Sequence, residues 1–309
     1  MRHFFLLMIL SITPLFASPE PIPFTEGFLE SNNAKIYYKT MGSGKPLVII
    51  HGGPGLDHSF LQPYFEHLSQ NHQLIFYDQR GTGNSTEGFD FEKINVPQFV
   101  EDLECLRAHL KLESFSIIAH SFGALLSTEY ACKYPDHLKS MILLNSIPLT
   151  SQGLVASYEE LKYRFKKSGN NVDEIRNSET FISGDLETVE GYYRELFKPY
   201  FYDPSFTDAM HLSIKPETPA LQYTIISIFK ENLFTKDYEP LQKLSKLQIP
   251  TYIIYSDHDF VPKWVFEEMT QKIPHSKSKM IQDCGHFSYV EKPKELLDAI
   301  HTFLTEWKF

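Results

Sequence analysis

The stretch Phe115–Ala124 constrains the fold of this chain more than any other. Its first five residues are almost continuously apolar, which is typical of a parallel strand covered on both faces. An apolar helical segment follows without a linker, so the chain must turn within a few residues. The turn centres on Ser121, with the small residues Ala119 and Gly123 two positions to either side. Such a turn lifts the serine oxygen clear of the sheet, and small neighbours let strand and helix approach closely.

The rest of the chain repeats this strand–helix rhythm. Short apolar runs alternate with stretches of helical period, which favours a mostly parallel, doubly wound sheet in an α/β fold. The predicted strands of this sheet are Leu47–Ile50, Leu74–Tyr77, Phe115–Ala119, Met141–Leu144, Tyr252–Tyr255 and Lys279–Ile281. Before them, Gly27–Glu30 and Lys35–Thr40 flank a Ser31–Asn33 turn and predict a hairpin.

The alternation of strand and helix patterns stops between residues 148 and 248, where no convincing buried strand occurs. We therefore expect one core in two parts, residues 25–147 and 249–309, separated by a helical cap, residues 148–248. Open α/β sheets bind ligands at the carboxyl ends of their strands, and the cap is expected to cover that edge. The predicted cap helices are Tyr158–Lys167, Leu186–Leu196 and Tyr223–Glu231.

Two polar residues beyond later strands complete a possible catalytic triad. Asp259 follows the strand Tyr252–Tyr255, and His286 follows the strand Lys279–Ile281 through a short connection. Because the carboxyl ends of parallel strands share one sheet edge, both residues can meet Ser121 there. In that arrangement His286 would take the Ser121 proton, and Asp259 would orient the imidazole and stabilise its charged form.

Three neighbours of these residues have simpler interpretations. Asp257 is the rival of Asp259, but its spacing to Pro262 favours a solvated turn residue. His120 and His258 adjoin triad candidates and are expected to point elsewhere, at the rim of the site or into packing.

A serine nucleophile also needs donors for the oxyanion that forms during attack, and two backbone N–H groups usually supply them. Phe122, directly after Ser121, is one candidate for the oxyanion hole. Gly53, in the loop His51–Gly55 after an early strand, is the other. Glycines let that loop approach the reacting carbonyl, and Pro54 stiffens its turn.

The loop Asp78–Ser85 follows the next strand. Its glycines suggest a phosphate-binding loop, but the Gly-Lys-Ser/Thr ending of such loops is absent. We expect Asp78 and Arg80 to pair with each other and to hold this loop beside the site.

In this order, five motifs resemble the proline iminopeptidases, the prolyl aminopeptidase branch of the α/β-hydrolase superfamily. The resemblance extends over about residues 25–309 and implies an α/β-hydrolase fold with a helical cap. It further implies an aminopeptidase that releases N-terminal proline or another small residue through an acyl-enzyme, with no metal or organic cofactor. The motifs are His51–Gly55, Asp78–Ser85, Ala119–Gly123, Asp259–Pro262 and Gly285–Pro293.

The resemblance also implies that cap carboxylates bind the free α-amino group of the substrate. Glu231 is the nearest match to the glutamate that such relatives present before the chain returns to the core, and Glu195 and Glu190 are fallbacks. Some members carry a second glutamate directly after the triad aspartate, where this chain has Phe260.

The sequence alone leaves two other functions possible. The same triad without an amine anchor would suit an esterase, lactonase or amidase for a small apolar substrate. A non-catalytic, ligand-binding relative of the fold is disfavoured because acid, base and nucleophile are all present. Epoxide hydrolase or dehalogenase chemistry would need a carboxylate in place of Ser121.

The N-terminus predicts a secretory signal peptide, residues 1–17. Arg2 precedes an apolar run from Phe4 to Leu10, and Ala17 offers a small-residue cleavage site before Ser18. The run is shorter than the roughly 20 residues that span a bilayer, so an uncleaved anchor is the less favoured alternative. We expect an exported protein, periplasmic or secreted, with no stable membrane insertion after cleavage.

Charge and cysteine content restrict the partners. A formal net charge of −10 argues against nucleic acid or an anionic membrane surface and leaves a small peptide or another small molecule. Cys105, Cys132 and Cys284 allow at most one disulfide and lack metal-ligand spacing. We expect them to be buried or free thiols, since a core of this size needs no covalent staple.

Overall fold

The computed structural model describes residues 22–306 except Phe234 and Lys236. The predicted signal peptide, residues 1–17, lies outside the described residues. Within them, no helix has the combination of length and apolar character that crossing a bilayer requires. Cys105, Cys132 and Cys284 are all free thiols, and only Cys284 is buried.

The described residues contain a single eight-stranded sheet with the order β1-β2-β4-β3-β5-β6-β7-β8. The pairs β1/β2 and β2/β4 are antiparallel, and every other pair is parallel. The predicted mostly parallel, doubly wound sheet is therefore confirmed. The strands are β1 Phe24–Ser31, β2 Ala34–Met41, β3 Lys45–Ile50, β4 His72–Tyr77, β5 Phe115–His120, β6 Leu138–Leu144, β7 Thr251–Ser256 and β8 Ser276–Ile281.

Helices cover both faces of this sheet. Val48 and Ile50 of β3 pack in one apolar cluster with α2, α3 and α10, while Leu47 and Ile49 pack in a second with α1 and α12. The alternation explains why a central strand must be apolar at consecutive positions. The core helices are α1 Gln62–Phe65, α2 Val96–His109, α3 Phe122–Lys133, α10 Lys263–Lys272, α11 Ser288–Glu291 and α12 Pro293–Glu306.

The edges of the sheet differ in composition from its centre. The hairpin β1/β2 turns at Asn32 and Asn33, whose φ angles of 45° and 70° suit the tight turns that match strand twist. At the other edge, β8 exposes Lys277 and Lys279, and charged side chains on an edge strand discourage pairing with another chain.

Between β6 and β7 the described chain forms helices and turns without a strand. Helix α4 begins after Thr150, whose side chain accepts a hydrogen bond from the Gly153 N–H, and ends at Gly169 with φ 59°. The α-helices of this segment are α4 Ser151–Ser168, α5 Val172–Arg176, α6 Glu179–Ile182, α7 Leu186–Phe197, α8 Thr218–Leu233 and α9 Pro240–Lys243. The described 3₁₀ turns of the whole chain are His58–Phe60, Glu66–Gln70, Phe91–Lys93, Pro135–His137, Lys198–Tyr200, Pro204–Thr207 and Leu244–Lys246.

Candidate active site

Ser121 occupies the turn between β5 and α3 in a rare backbone conformation, with φ 54° and ψ −118°. Such a conformation costs about 1–3 kcal/mol and persists only where the surroundings impose it. Here the Ser121 N–H donates to the Leu144 carbonyl oxygen at 3.0 Å. A Cβ atom on Gly123 would lie 2.8 Å from the carbonyl oxygens of Ile50 and His51, so α3 can start this close to β3 only with glycine there.

The structure brings Ser121, His286 and Asp259 into one hydrogen-bonded chain. His286 Nε2 lies 2.9 Å from Ser121 Oγ, and His286 Nδ1 lies 3.0 Å from both carboxylate oxygens of Asp259. An ionised carboxylate only accepts hydrogen bonds, so Nδ1 carries the proton and Nε2 is free to accept the Ser121 hydroxyl proton. All three residues are buried. Asp259 is therefore placed to orient the imidazole and His286 to act on the hydroxyl.

Asn145, which the sequence analysis did not single out, supports the acid. Its side-chain amide donates to Asp259 Oδ2 at 2.8 Å and to Ser256 Oγ at 3.0 Å. Its Oδ1 accepts from the Ser288 hydroxyl at 2.8 Å. The Val261 N–H donates to Asp259 Oδ1 at 3.1 Å. Together these donors fix the plane of the carboxylate that faces His286.

Asp257, the rival acid, contacts a different group. Its Oδ1 accepts from the Cys284 N–H at 3.2 Å, and no described contact joins it to His286. His258 lies at the surface with half of its side chain exposed, its ring 4.5 Å from that of Tyr202.

His120 is buried beneath the loop that carries His286. Its Nε2 bonds to the His286 carbonyl oxygen at 3.1 Å, and the two rings are 4.9 Å apart. Burial, reinforced by the nearby His286, lowers the pKa of His120 well below its usual value. It therefore stays neutral and donates to the backbone of the loop that carries His286.

The loop after β3 approaches the nucleophile from the other side. A Cβ atom on Gly52 would lie 3.0 Å from Ser121 Cβ, and Gly53 has φ +127°. Phe122 is the first residue of α3, where backbone N–H groups lack intrahelical acceptors. The loop that carries Gly53 and the helix start at Phe122 therefore both lie beside Ser121.

His51 fixes this loop to the strand beside it. The Gln79 N–H donates to His51 Nε2 at 3.0 Å, and the Gln79 side-chain amide donates to the His51 carbonyl oxygen at 2.7 Å. Burial lowers the pKa of His51 to about 4, so its ring is neutral and Nε2 can accept.

The expected ion pair between Asp78 and Arg80 is wrong. Asp78 accepts hydrogen bonds from the N–H and the ring Nδ1 of His58, at 3.0 and 2.6 Å, and from the Asn84 N–H at 2.8 Å. Arg80 instead pairs with Asp102 of α2 through two hydrogen bonds of 3.0 and 2.6 Å. Both charges are fully buried, and each takes the partner that satisfies its hydrogen bonds rather than its neighbour in sequence.

The segment between β6 and β7 is bonded directly to the loops that carry Asp259 and His286. Arg164 of α4 donates to the carbonyl oxygens of His258 and Asp259 at 2.7 and 2.9 Å. The His286 N–H donates to the Tyr200 carbonyl oxygen at 2.7 Å. These contacts tie the position of the cap to the position of the acid and the base.

Glu291 strengthens the same junction. Its carboxylate accepts from the N–H groups of Tyr202, Asp203 and Gly285 at 3.0, 3.1 and 2.6 Å. One buried side chain therefore holds the link between the 3₁₀ turns Lys198–Tyr200 and Pro204–Thr207 against the loop that carries His286.

A cavity of about 610 Å³ opens at Ser121, and residues before β6 and between β6 and β7 both line it. Aromatic and aliphatic side chains from both core and cap form much of its wall, together with Ser121 and His286 themselves. The apolar residues of the lining are Leu56, Phe60, Leu61, Tyr192, Leu196, Phe197, Tyr200, Pro219, Tyr223, Ile226, Phe287 and Tyr289.

The three glutamates considered for the substrate amine fall in different places. Glu231 lines the cavity at an exposed position, whereas Glu190 and Glu195 are not part of the lining. Glu195 forms an ion pair with Lys198. Phe260 packs on the His286 ring with 4.7 Å between centroids, so this position contributes packing.

The cavity wall also contains Asp57, which the sequence analysis missed. Its side chain is 6% exposed. The signal that could have found it is its position, two residues after the glycine-rich loop His51–Gly55.

Two clusters in the described part of the chain place three possible metal ligands within 4.8 Å of one another. They are Asp57, His58 and Asp78, which are buried, and Asp257, His258 and Asp283, which lie nearer the surface. Neither cluster contains a member of the Ser121–His286–Asp259 chain.

Comparisons with known proteins identify the fold family of the chain. The family model for the alpha/beta hydrolase fold matches residues 45–293. A proline iminopeptidase from Lactobacillus helveticus is 27% identical over 293 residues, which cover 91% of this chain and 98% of the relative.

Two solved structures share the fold. A proline iminopeptidase from Mycobacterium smegmatis superposes with a TM-score of 0.68 at 17% identity, covering 92% of this chain and 98% of that one. The epoxide hydrolase CorEH superposes with a TM-score of 0.70 at 21% identity, covering 92% and 99%. At these identities, the structural likeness establishes the fold alone.

Proposed function

Because this chain belongs to the alpha/beta hydrolase fold family, we propose that it is a serine hydrolase that releases N-terminal proline, or another small N-terminal residue, from peptides. The observation that carries the proposal is the chain of hydrogen bonds from Asp259 through His286 to Ser121, which ends at a cavity under the cap. Similarity to proline iminopeptidases over most of the chain supports the choice of substrate.

In the acylation step, Ser121 Oγ attacks the carbonyl carbon of the substrate's first residue while His286 Nε2 takes the hydroxyl proton. The developing oxyanion is held by the N–H groups of Gly53 and Phe122. His286 then gives its proton to the leaving amine, the C–N bond breaks, and the first residue remains esterified to Ser121. Asp259 stabilises the imidazolium throughout.

In the second step a water molecule attacks the ester. His286 takes a proton from this water and returns it to Ser121 Oγ as the acyl–oxygen bond breaks. The neutral state of His120 suits this cycle, because a second positive charge 4.9 Å from the His286 ring would oppose formation of the imidazolium.

The cavity explains why a terminal residue would be preferred. Aromatic and aliphatic side chains of its wall suit the apolar ring of proline, polar side chains share the wall, and the cap covers it. An α-ammonium group that enters such a space loses water, so a carboxylate must meet it. Among the three glutamates proposed for this role, Glu231 is the one in the cavity wall.

The decisive experiment compares a free-amine arylamide with its N-acetyl derivative and with a neutral ester of similar ring size. Proline arylamide, N-acetylproline arylamide and the 4-nitrophenyl ester of cyclopentanecarboxylic acid would be assayed by kcat/KM, with Ser121→Ala as the background. We expect the free-amine arylamide to be cleaved at least about 30-fold better than its N-acetyl derivative, the equivalent of one buried ion pair.

If only the neutral ester is cleaved, the same triad serves an esterase and the aminopeptidase proposal is wrong. If none of the three substrates is cleaved above the Ser121→Ala background, the hydrolase proposal itself is wrong.

A further inference from the structure

The charged side chains of the cavity wall differ in how much water they contact. Within the described lining they are Asp57, Arg176, Lys230 and Glu231. Lys230 and Glu231 are exposed, and Arg176 is already paired with Asp173 at 2.8 Å. Water screens exposed charges, so they select weakly between charged and neutral ligands. Asp57 alone among the four is buried.

The hydrogen bonds of Asp57 leave one carboxylate oxygen without a protein donor. Oδ1 accepts from the Ser59 N–H at 2.9 Å and from the Ser59 hydroxyl at 2.5 Å. Oδ2 has no hydrogen-bond partner among the described residues, although the residue lines the cavity. A carboxylate oxygen that faces a cavity and is not occupied by a protein donor is suited to a donor that arrives with a ligand.

When both carboxylates are ionised, the cluster of Asp57, His58 and Asp78 carries net negative charge, and Lys39 is a cation close enough to act on its His58. The side chains of Asp57, His58 and Asp78 place ligand atoms within 4.8 Å of one another. Two carboxylates outnumber one imidazole whether or not His58 is protonated. Asp78 is occupied by His58 and Asn84, which leaves Asp57 as the member of the cluster in the cavity wall. Burial and the neighbouring Asp78 raise the pKa of Asp57, and a bound cation would relieve both effects.

Asp57 lines the same cavity as Ser121 and His286. The α-amino nitrogen of an N-terminal residue is two bonds from the carbonyl carbon that Ser121 attacks, so its binding site must adjoin the oxyanion loop. Asp57 follows that loop directly, four residues after Gly53.

Glu231 is placed less well for this role. Helix α8 crosses the oxyanion loop at Gln222, whose Cα lies 2.6 Å from where a Cβ atom on Gly55 would stand. Glu231 comes nine residues later on the same helix, about 13 Å farther along its axis. It is therefore suited to the exposed end of the cavity.

Resting on the proposed aminopeptidase function, we propose that Asp57 receives the α-ammonium group of the substrate. The amine subsite then belongs to the core of the protein and not to the cap. The ammonium group donates to Asp57 Oδ2, and the cap contributes the apolar wall around the side chain of the first residue.

The test uses Asp57→Asn, because asparagine also accepts a hydrogen bond at the start of a helical turn and keeps the contact with the Ser59 N–H. Asp90→Asn is the matched control. Asp90 accepts from the Glu92 N–H at 2.9 Å in the same kind of turn, but it is exposed and outside the cavity wall. Glu231→Gln tests the cap alternative.

Two quantities are measured for each protein. The first is the ratio of kcat/KM for proline arylamide to that for the neutral cyclopentanecarboxylate ester. The second is the ratio of the inhibition constants of prolinamide and cyclopentanecarboxamide against ester hydrolysis. We expect Asp57→Asn to shift both ratios against the charged ligand by at least about 30-fold, and Asp90→Asn and Glu231→Gln to shift them less than about threefold.

The inference is overturned if Asp57→Asn leaves the inhibition ratio within about threefold of the wild-type value, or if Glu231→Gln produces the large shift instead. If Asp57→Asn does not fold, inhibition of the wild-type enzyme by the two amides still tests whether the subsite is negative. Equal inhibition by prolinamide and cyclopentanecarboxamide rules out a negative subsite. The proposed function fails separately, if wild-type enzyme hydrolyses the ester but not proline arylamide, because the inhibition ratio still reports whether Asp57 binds an ammonium group.

Discussion

Replacing Asn145 tests how the acid of the triad is held. Asn145 has a φ angle of 43°, which glycine adopts without strain and alanine does not. Asn145→Gly therefore removes the side chain while keeping the backbone relaxed, and Asn145→Ala removes it and adds strain. Comparing the two variants separates the effect of the lost hydrogen bonds from the effect of backbone strain.

The magnitude follows from the bonds that disappear. The bond to the Asp259 carboxylate is worth about 1.5–3 kcal/mol, and each bond to the Ser256 and Ser288 hydroxyls about 1 kcal/mol. Water that enters the vacated space recovers part of this loss, so Asn145→Gly should lower the free energy of unfolding by about 3 kcal/mol. Asn145→Ala should cost about 1 kcal/mol more. Urea unfolding curves measure both differences.

Turnover should fall because Asp259 then orients His286 less well. Asp259 retains the Val261 N–H, so we expect a loss in kcat of about 10- to 100-fold, the range for a displaced catalytic group. In an Asp259→Asn background, which alone costs about 10⁴-fold, Asn145→Gly should have no further effect, because Asn145 acts through the acid.

Two results would contradict this reasoning. Equal losses in kcat with and without Asp259→Asn would mean that Asn145 does not act through the acid. A kcat within threefold of wild type, despite lower stability, would make Asn145 a purely structural residue.

Three further predictions concern the cap junction, the pH dependence of stability and the N-terminus. Glu291→Gln should lower the free energy of unfolding by about 1–3 kcal/mol and reduce kcat, because an amide group cannot accept from all three N–H donors; unchanged urea curves would refute this. Burial alone would lower the pKa of His58, but the hydrogen bond and charge of Asp78 outweigh burial and raise it. The stabilisation of the folded state by protonated His58 is complete below about pH 6.5 and is lost as pH rises through the folded-state pKa of His58. In urea titrations, the stability advantage of wild type over His58→Gln should therefore shrink above pH 6.5. A difference that stays constant with pH would contradict this prediction. We propose that the exported protein begins at Ser18; mass spectrometry of protein from its native host checks this, and an intact Met1 would count against it.

The sheet and the residues at its edge could be predicted because one physical rule governs both. Strands buried on two faces need continuous apolar runs, and their carboxyl ends meet at one edge. Ser121, Asp259 and His286 each follow such a run, and the structure brings them together. Asn145 follows β6 in the same way and could have been predicted by the same rule.

The pairing of buried charges could not be predicted, because partners are chosen by packing between distant segments. Asp78 takes His58, 20 residues earlier, and Arg80 takes Asp102, 22 residues later. The sequence shows that both charges need partners but not which helix or loop will face them. Asp57 was missed because its position after the glycine-rich loop places it near the site but does not show that its side chain turns into the cavity.

The central claim, that Ser121 is the nucleophile, is tested most directly by covalent labelling. A fluorophosphonate forms a phosphorus–oxygen bond to an activated serine as fluoride leaves, and peptide mass spectrometry locates the label. We expect one label per chain, on Ser121, with activity lost in parallel, and we expect Ser121→Ala to be unlabelled and slower by about 10⁴-fold or more. Inactivation with the label on another residue, or a Ser121→Ala enzyme that keeps a tenth of the wild-type rate, would contradict the claim.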